Sequence, residues 1–267
     1  MATHLVAEAT LRRGRTAPGT VLVSAHRGGP KSYRTPENSL TAFGAAAASG
    51  VDLVEFDVHA TKDGEFVVSH DPWVRVAADV RAIGECTFAE ISASATPLPT
   101  VAQVCAVIPA PVVAHVDVKS MTAGGASGVW PEVALAQLVH DTLGSDRYIF
   151  TSTNIVTTRR LAGWCEASGI PNCVGLSMWK PLSRGGRLGW VPIAQQLPTA
   201  RFRRSGAGFV VVHHWLARAG VLAWAHRHGI KTLVWTCDTD RALRAFLSDA
   251  RVWAVTSNDP ARAMALR

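Results

Sequence analysis

Four short polar clusters interrupt an otherwise apolar chain, and their residue types could carry out acid–base chemistry at a phosphate. His26-Arg27-Gly28-Gly29 joins a proton carrier to a bidentate phosphate ligand, and its glycines let the backbone approach a bound anion closely. In Leu53-Val54-Glu55-Phe56-Asp57-Val58-His59, period-two alternation puts Glu55, Asp57 and His59 on one face of an extended segment. Two carboxylates so placed repel each other and are costly to desolvate without a cation, and oxygen-only ligands suit a hard divalent ion such as Mg²⁺ or Ca²⁺. Ser69-His70-Asp71-Pro72 supplies a second imidazole, with Asp71 either fixing the ring or opening the turn. Ala114-His115-Val116-Asp117-Val118-Lys119 places His115, Asp117 and Lys119 on one face, and a buried lysine requires an anionic partner. A lone histidine is more commonly a satisfied imidazole, and His59 is read as lining. Together the clusters fit phosphodiester cleavage, with a metal and cations neutralising phosphoryl oxygens while two imidazoles move protons.

Such groups need elements that converge them. Short β-rich runs fall at residues 21–25, 53–58, 112–118, 148–151, 173–177, 209–213, 232–236 and 252–256. Segments with helical spacing lie between most of them, for example 39–49, 131–143, 155–168, 215–228 and 240–248. Eight strands with helix-length connections predict an α/β fold, a parallel (β/α)₈ TIM barrel. Every polar cluster then sits at the C-terminal face, where such barrels do chemistry. Residues 66–69, after Asp63-Gly64, predict an extra strand paired back on the second through a hairpin turn. A doubly wound open sheet is the rival, but no Gly-rich phosphate loop follows the first strand. One domain is expected over 20–267, behind a flexible leader at 1–19.

Composition narrows the function. At 48% hydrophobic and 18% charged residues over 267 positions, the chain is too apolar to be disordered. Charges or glycines break each apolar run before membrane-span length. The net charge of +7 favours anionic partners, but no nucleic-acid-binding signature accompanies it. Cys86, Cys105, Cys165, Cys173 and Cys237 are odd in number and irregularly spaced, which reads as buried thiols rather than disulfides or a zinc site. The N-terminal segment has arginines but no apolar core, so a signal peptide is not expected and a cytoplasmic location is.

Taken in order, His26-Arg27-Gly28, Pro36-Glu37-Asn38-Ser39, Glu55-x-Asp57-Val58, Thr61-Lys62-Asp63-Gly64 and His70-Asp71 resemble the glycerophosphodiester phosphodiesterase family. Asp117-x-Lys119, Trp235-Thr236 and 256–260 extend the resemblance over nearly the whole chain. It implies a barrel with a short inserted hairpin segment after strand two, one divalent cation (Mg²⁺ or Ca²⁺), and hydrolysis of deacylated phospholipids to an alcohol and sn-glycerol 3-phosphate. His26 and His70 would be the general acid/base pair. Glu55, Asp57 and Asp117 would ligate the metal, while Arg27 and Lys119 would hold the phosphate. Asp117 stands where the family usually has glutamate, and Asp-x-Lys is similar to the sphingomyelinase D group, which makes a phospholipase or lyase acting on intact or lyso-phospholipids the alternative. A non-catalytic anionic-lipid-binding barrel is a third reading. Glu37 and Asn38 are expected to brace the loop and start the following helix. The attacking oxygen is either the neighbouring 2-hydroxyl or water; the sequence leaves both open. Trp235 is expected to line the pocket, and His213-His214-Trp215 to form an aromatic wall or an alcohol contact. The stretch 180–204, with Lys180, Arg184, Arg187, Arg201, Arg203 and Arg204 and no acidic residue, is either a solvated basic loop or a weak contact for an anionic membrane surface.

Overall fold

A computed structural model describes residues 19–119, 121, 129–178 and 199–267. The barrel strands are β1 (Leu22–Ala25), β2 (Leu53–Ala60), β6 (Val113–Val118), β7 (Tyr148–Ser152), β8 (Val174–Met178), β9 (Phe209–His213), β10 (Lys231–Trp235) and β11 (Ala254–Ser257). They pair in parallel in sequence order, and β1 pairs with both β2 and β11, which closes the ring. The helices that follow them are α1 (Leu40–Ala48), α2 (Val101–Val107), α3 (Pro131–Leu143), α4 (Ile155–Ala167), α5 (Thr199–Ser205), α6 (Leu222–Arg227), α7 (Asp240–Leu247) and α8 (Pro260–Leu266). The predicted barrel is therefore the observed one, with strand ends moved by a residue or two.

β2 is buried along nearly its whole length, as a parallel strand between barrel interior and helices must be. Its outward Val54, Phe56 and Val58 pack with Phe43 of α1 and Val104 of α2 in the main core. Inward-facing Leu22, Leu53, Val113, Ile149, Phe209 and Leu233 close the barrel below its C-terminal mouth. Gly175 makes room for Phe209, because a Cβ there would lie 2.4 Å from the ring.

The insert after β2 begins as predicted, with β3 (Phe66–Val68) antiparallel to β2 across the turn at Gly64. A second hairpin, β4 (Trp73–Val76) with β5 (Asp79–Ala82), was not anticipated. The helix predicted over 215–228 is interrupted by a π turn at Ala217–Val221, where Gly220 has φ +114°. The five cysteines are free and buried. No helix among the described residues is long and apolar enough to cross a membrane. The leader assigned to 1–19 lies outside the described residues except for Gly19, as does most of the basic stretch, leaving Arg201, Arg203 and Arg204 on α5.

Candidate active site

Register sets the acidic cluster. β2 and β6 pair so that Glu55 stands beside His115 and Asp57 beside Asp117. One oxygen each of Glu55, Asp57 and Asp117 lies within 4.8 Å of the other two, at the C-terminal mouth of the barrel. Burial, then the charges of Asp57 and Asp117, push the Glu55 carboxyl well above the ordinary range. Burial would raise Asp57 as well, but Lys119, Arg27 and the Asn38 amide outweigh it and hold that carboxyl low. Lys119 Nζ bridges Asp57 Oδ1 at 2.6 Å and Asp117 Oδ2 at 2.5 Å. Burial opposes its charge, yet the two carboxylates keep the ammonium above its usual range. The lysine thus compensates Asp57 and Asp117 while Glu55 remains short of positive charge. This oxygen-only set fits a hard divalent cation.

The turn after β1 brings the other groups in. Arg27 has φ +50°, and Gly28 and Gly29 follow at +82° and +74°. Arg27 donates its backbone N–H to Glu55 Oε2 at 2.7 Å and its Nη1 to Glu37 at 2.9 Å, while its Nε lies 3.2 Å from Asp57. His26 is buried, with Nε2 4.0 Å from Glu55 Oε2. Its Nδ1 is 2.8 Å from Asn258 Oδ1. Asn258 cannot be turned the other way, because its Nδ2 donates to the Asp238 carboxylate at 2.7 Å. His26 therefore carries its proton on Nδ1 and keeps a lone pair on Nε2. Burial, reinforced by the Arg27 charge, holds this imidazole below 6.5 and hence neutral.

His70 sits in the turn after β3, with Nδ1 2.8 Å from Asp71 Oδ1. The carboxylate accepts, so Nδ1 is protonated and Asp71 orients the ring. His59 reaches toward the His70 carbonyl at 3.5 Å, which makes it a brace for that turn.

His26, Arg27, Glu55, Asp57, His70, Asp117, Lys119 and Trp235 all line one cavity of about 400 Å³. The structure thus brings together every residue singled out for catalysis, metal or phosphate. Glu37 braces Arg27 as expected. Asn38 does not start the helix: Ser39 caps α1 by accepting from Ala42 N, and Asn38, at φ +55°, is free to donate to Asp57 Oδ2 at 2.9 Å.

The sequence profile of the Glycerophosphoryl diester phosphodiesterase family matches residues 26–164, just over half of the chain. The chain belongs to this family. A glycerophosphodiester phosphodiesterase from Caldanaerobacter subterraneus is 51% identical over 53 residues, 20% of this chain and 21% of that protein. The chain's match thus spans about a fifth of the length of its curated relatives. Among solved structures, a glycerophosphodiester phosphodiesterase from Parabacteroides distasonis superposes with TM-score 0.69 at 19% identity, covering 92% of this chain and 96% of that one. A phosphodiesterase from Oleispira antarctica, solved with the product sn-glycerol 3-phosphate, gives TM-score 0.67 at 20% identity with the same coverage. At these identities the structural likeness shows the fold.

This member of the family carries supports that the sequence did not reveal. Ser24 Oγ lies 3.1 Å from His115 Nδ1, His115 Nε2 lies 3.1 Å from Thr151 Oγ1, and Thr151 donates to Asp117 Oδ1 at 2.7 Å. Thr151 has only one proton and gives it to the carboxylate, so it accepts from His115 Nε2–H and Ser24 donates to Nδ1. Burial drives the His115 imidazole down to about 4, so it is neutral within this chain. Alternation showed His115 pointing inward; only register shows that it braces Asp117. Asn258 was visible as a strand-end residue, but its partner Asp238, on the β10–α7 connection, gave no local signal.

Proposed function

We propose that the protein is a metal-dependent glycerophosphodiester phosphodiesterase, cleaving deacylated phospholipids to an alcohol and sn-glycerol 3-phosphate. The observation that carries this reading is the convergence of three carboxylates, two cations and two oriented imidazoles on one cavity. Family membership supports it.

Glu55, Asp57 and Asp117 would hold the divalent ion, Mg²⁺ or Ca²⁺. Bound there, it supplies Lewis-acid polarisation of a phosphoryl oxygen and offsets the negative charge of the cluster. Lys119 spends two of its three N–H donors on Asp57 and Asp117 and has a third for a phosphoryl oxygen. Arg27, anchored by Glu37 and Asp57, offers its remaining N–H groups to another. His26, neutral with a free Nε2, takes the proton of the attacking oxygen, whether that is the substrate's 2-hydroxyl or water. His70, in its doubly protonated form with Nδ1–H held by Asp71, would deliver the Nε2 proton to the departing alcohol oxygen. Trp235 gives the cavity an apolar wall.

Incubation with glycerophosphocholine, glycerophosphoethanolamine, lysophosphatidylcholine and sphingomyelin, with Mg²⁺, Ca²⁺ or EDTA, tests the reading. Release of sn-glycerol 3-phosphate from the first two, lost in EDTA, is expected. Cleavage of only the last two would favour the sphingomyelinase D-like alternative suggested by Asp117-x-Lys119. Cleavage of none would leave a lipid-binding barrel. We further propose a weak membrane contact for the basic 180–204 stretch, tested by liposome binding with varied anionic lipid and salt. Binding independent of lipid charge would remove it.

A further inference from the structure

A second cavity, of about 740 Å³, adjoins the catalytic one, and His213 and Thr236 line both. An unbroken row of rings leads from one to the other. His213 lies 5.7 Å from Trp235 and 4.2 Å from His214, which lies 6.1 Å from Trp215. Trp215 is 70% exposed, so the row ends at an open mouth. Two guanidinium groups, Arg218 and Arg241, also line this groove. Arg218 is held over the Phe246 ring at 4.7 Å. No carboxylate among the described residues pairs with either arginine. Asp238 also lines the groove, but its oxygens are engaged by Asn258 and Lys31. Burial keeps the His213 and His214 rings neutral, so among the described residues the positive charge of the groove is that of the two arginines.

A diester has two arms. The phosphate and the glycerol arm suit the smaller, more enclosed cavity beside the carboxylates, and the other arm must leave past His213 and Thr236. We propose that this groove receives the leaving alcohol and selects alcohols that carry a phosphomonoester, which Arg218 and Arg241 grip. Guanidinium forks match phosphate geometry, and neither of these two is paired with a carboxylate among the described residues. This selectivity rests on the diesterase reading and adds a substrate class to it.

The test compares wild type, Arg218→Gln, Arg241→Gln and the double variant. Hydrolysis of glycerophosphoinositol 4-phosphate is measured against glycerophosphocholine, and binding of inositol 4-phosphate is measured by calorimetry. The double variant should raise KM for the phosphorylated diester, and the Kd of inositol 4-phosphate, by about tenfold or more. Its kcat/KM on glycerophosphocholine should stay within about twofold, since neither arginine lines the catalytic cavity. Equal losses on both diesters, no loss on either, or no binding of inositol 4-phosphate by wild type would overturn the proposal. If no diester is cleaved, the diesterase reading fails, and the calorimetric arm still decides whether the two arginines form a phosphate site.

Discussion

His26 is the residue on which the proposed proton transfer turns, and its state follows from three neighbours. Asn258 fixes the proton on Nδ1, Asp238 fixes Asn258, and burial beside Arg27 keeps the ring neutral. Replacing His26 or His70 with alanine should lower kcat by about 10²–10⁴ without loss of fold, as read by diester hydrolysis and circular dichroism. Asn258→Leu should cost about tenfold or more in kcat while leaving divalent-ion affinity unchanged, because the wrong tautomer blocks Nε2 but not the carboxylates. A base must be unprotonated, and the fraction of neutral His26 falls only as pH drops through its lowered value. The acid limb of the kcat/KM profile should therefore lie below pH 6.5; a His26-dependent limb centred above 6.5 would contradict the assignment.

The turn between β1 and α1 is the element that aims these groups, and it depends on left-handed backbone. Gly28 has φ +82°, and a Cβ there would lie 2.7 Å from Ala42 Cβ. Gly28→Ala should destabilise the fold by about 1–3 kcal/mol and lower Tm, and should displace His26 and Arg27, which precede it directly. The barrel strands were legible because their apolar runs, polar ends and regular spacing agree with one another. The candidate site was legible for the same reason, since carboxylates at positions of period two can face only one way. The β4–β5 hairpin was silent because its turn uses Ala77 at φ +52° rather than Asn-Gly or Asp-Gly. The 215–228 helix was overread because its apolar spacing persists across Gly220. The braces at Asn38, His115 and Asn258 depend on partners tens to hundreds of positions away, which no local pattern carries.

At the scale of the whole molecule, the barrel buries a neutral histidine in its interior, and this ties folding to pH. The His115 imidazole titrates near 4 when folded and near 6.5 when unfolded. Between those values the unfolded chain binds a proton that the folded chain does not, so stability falls as pH drops from 6.5 toward 4. Below 4 this contribution levels off. The loss reaches about 3 kcal/mol. Urea unfolding of the metal-free protein at pH 7 and 4.5 should show it, and His115→Gln should lose less over the same interval. Closure of the barrel also assembles the candidate site, because β1 pairs with β11 as well as β2, which sets Asn258 against His26 beside the β2 carboxylates. The most direct measurement is ³¹P NMR of glycerophosphocholine mixed with metal-stripped protein, before and after adding Mg²⁺ or Ca²⁺. The expected result is no reaction until the ion is added, then a rising glycerol 3-phosphate signal that Glu55→Gln abolishes or sharply slows. Equal turnover in EDTA, or full activity of Glu55→Gln, would contradict a divalent-ion site at the three carboxylates.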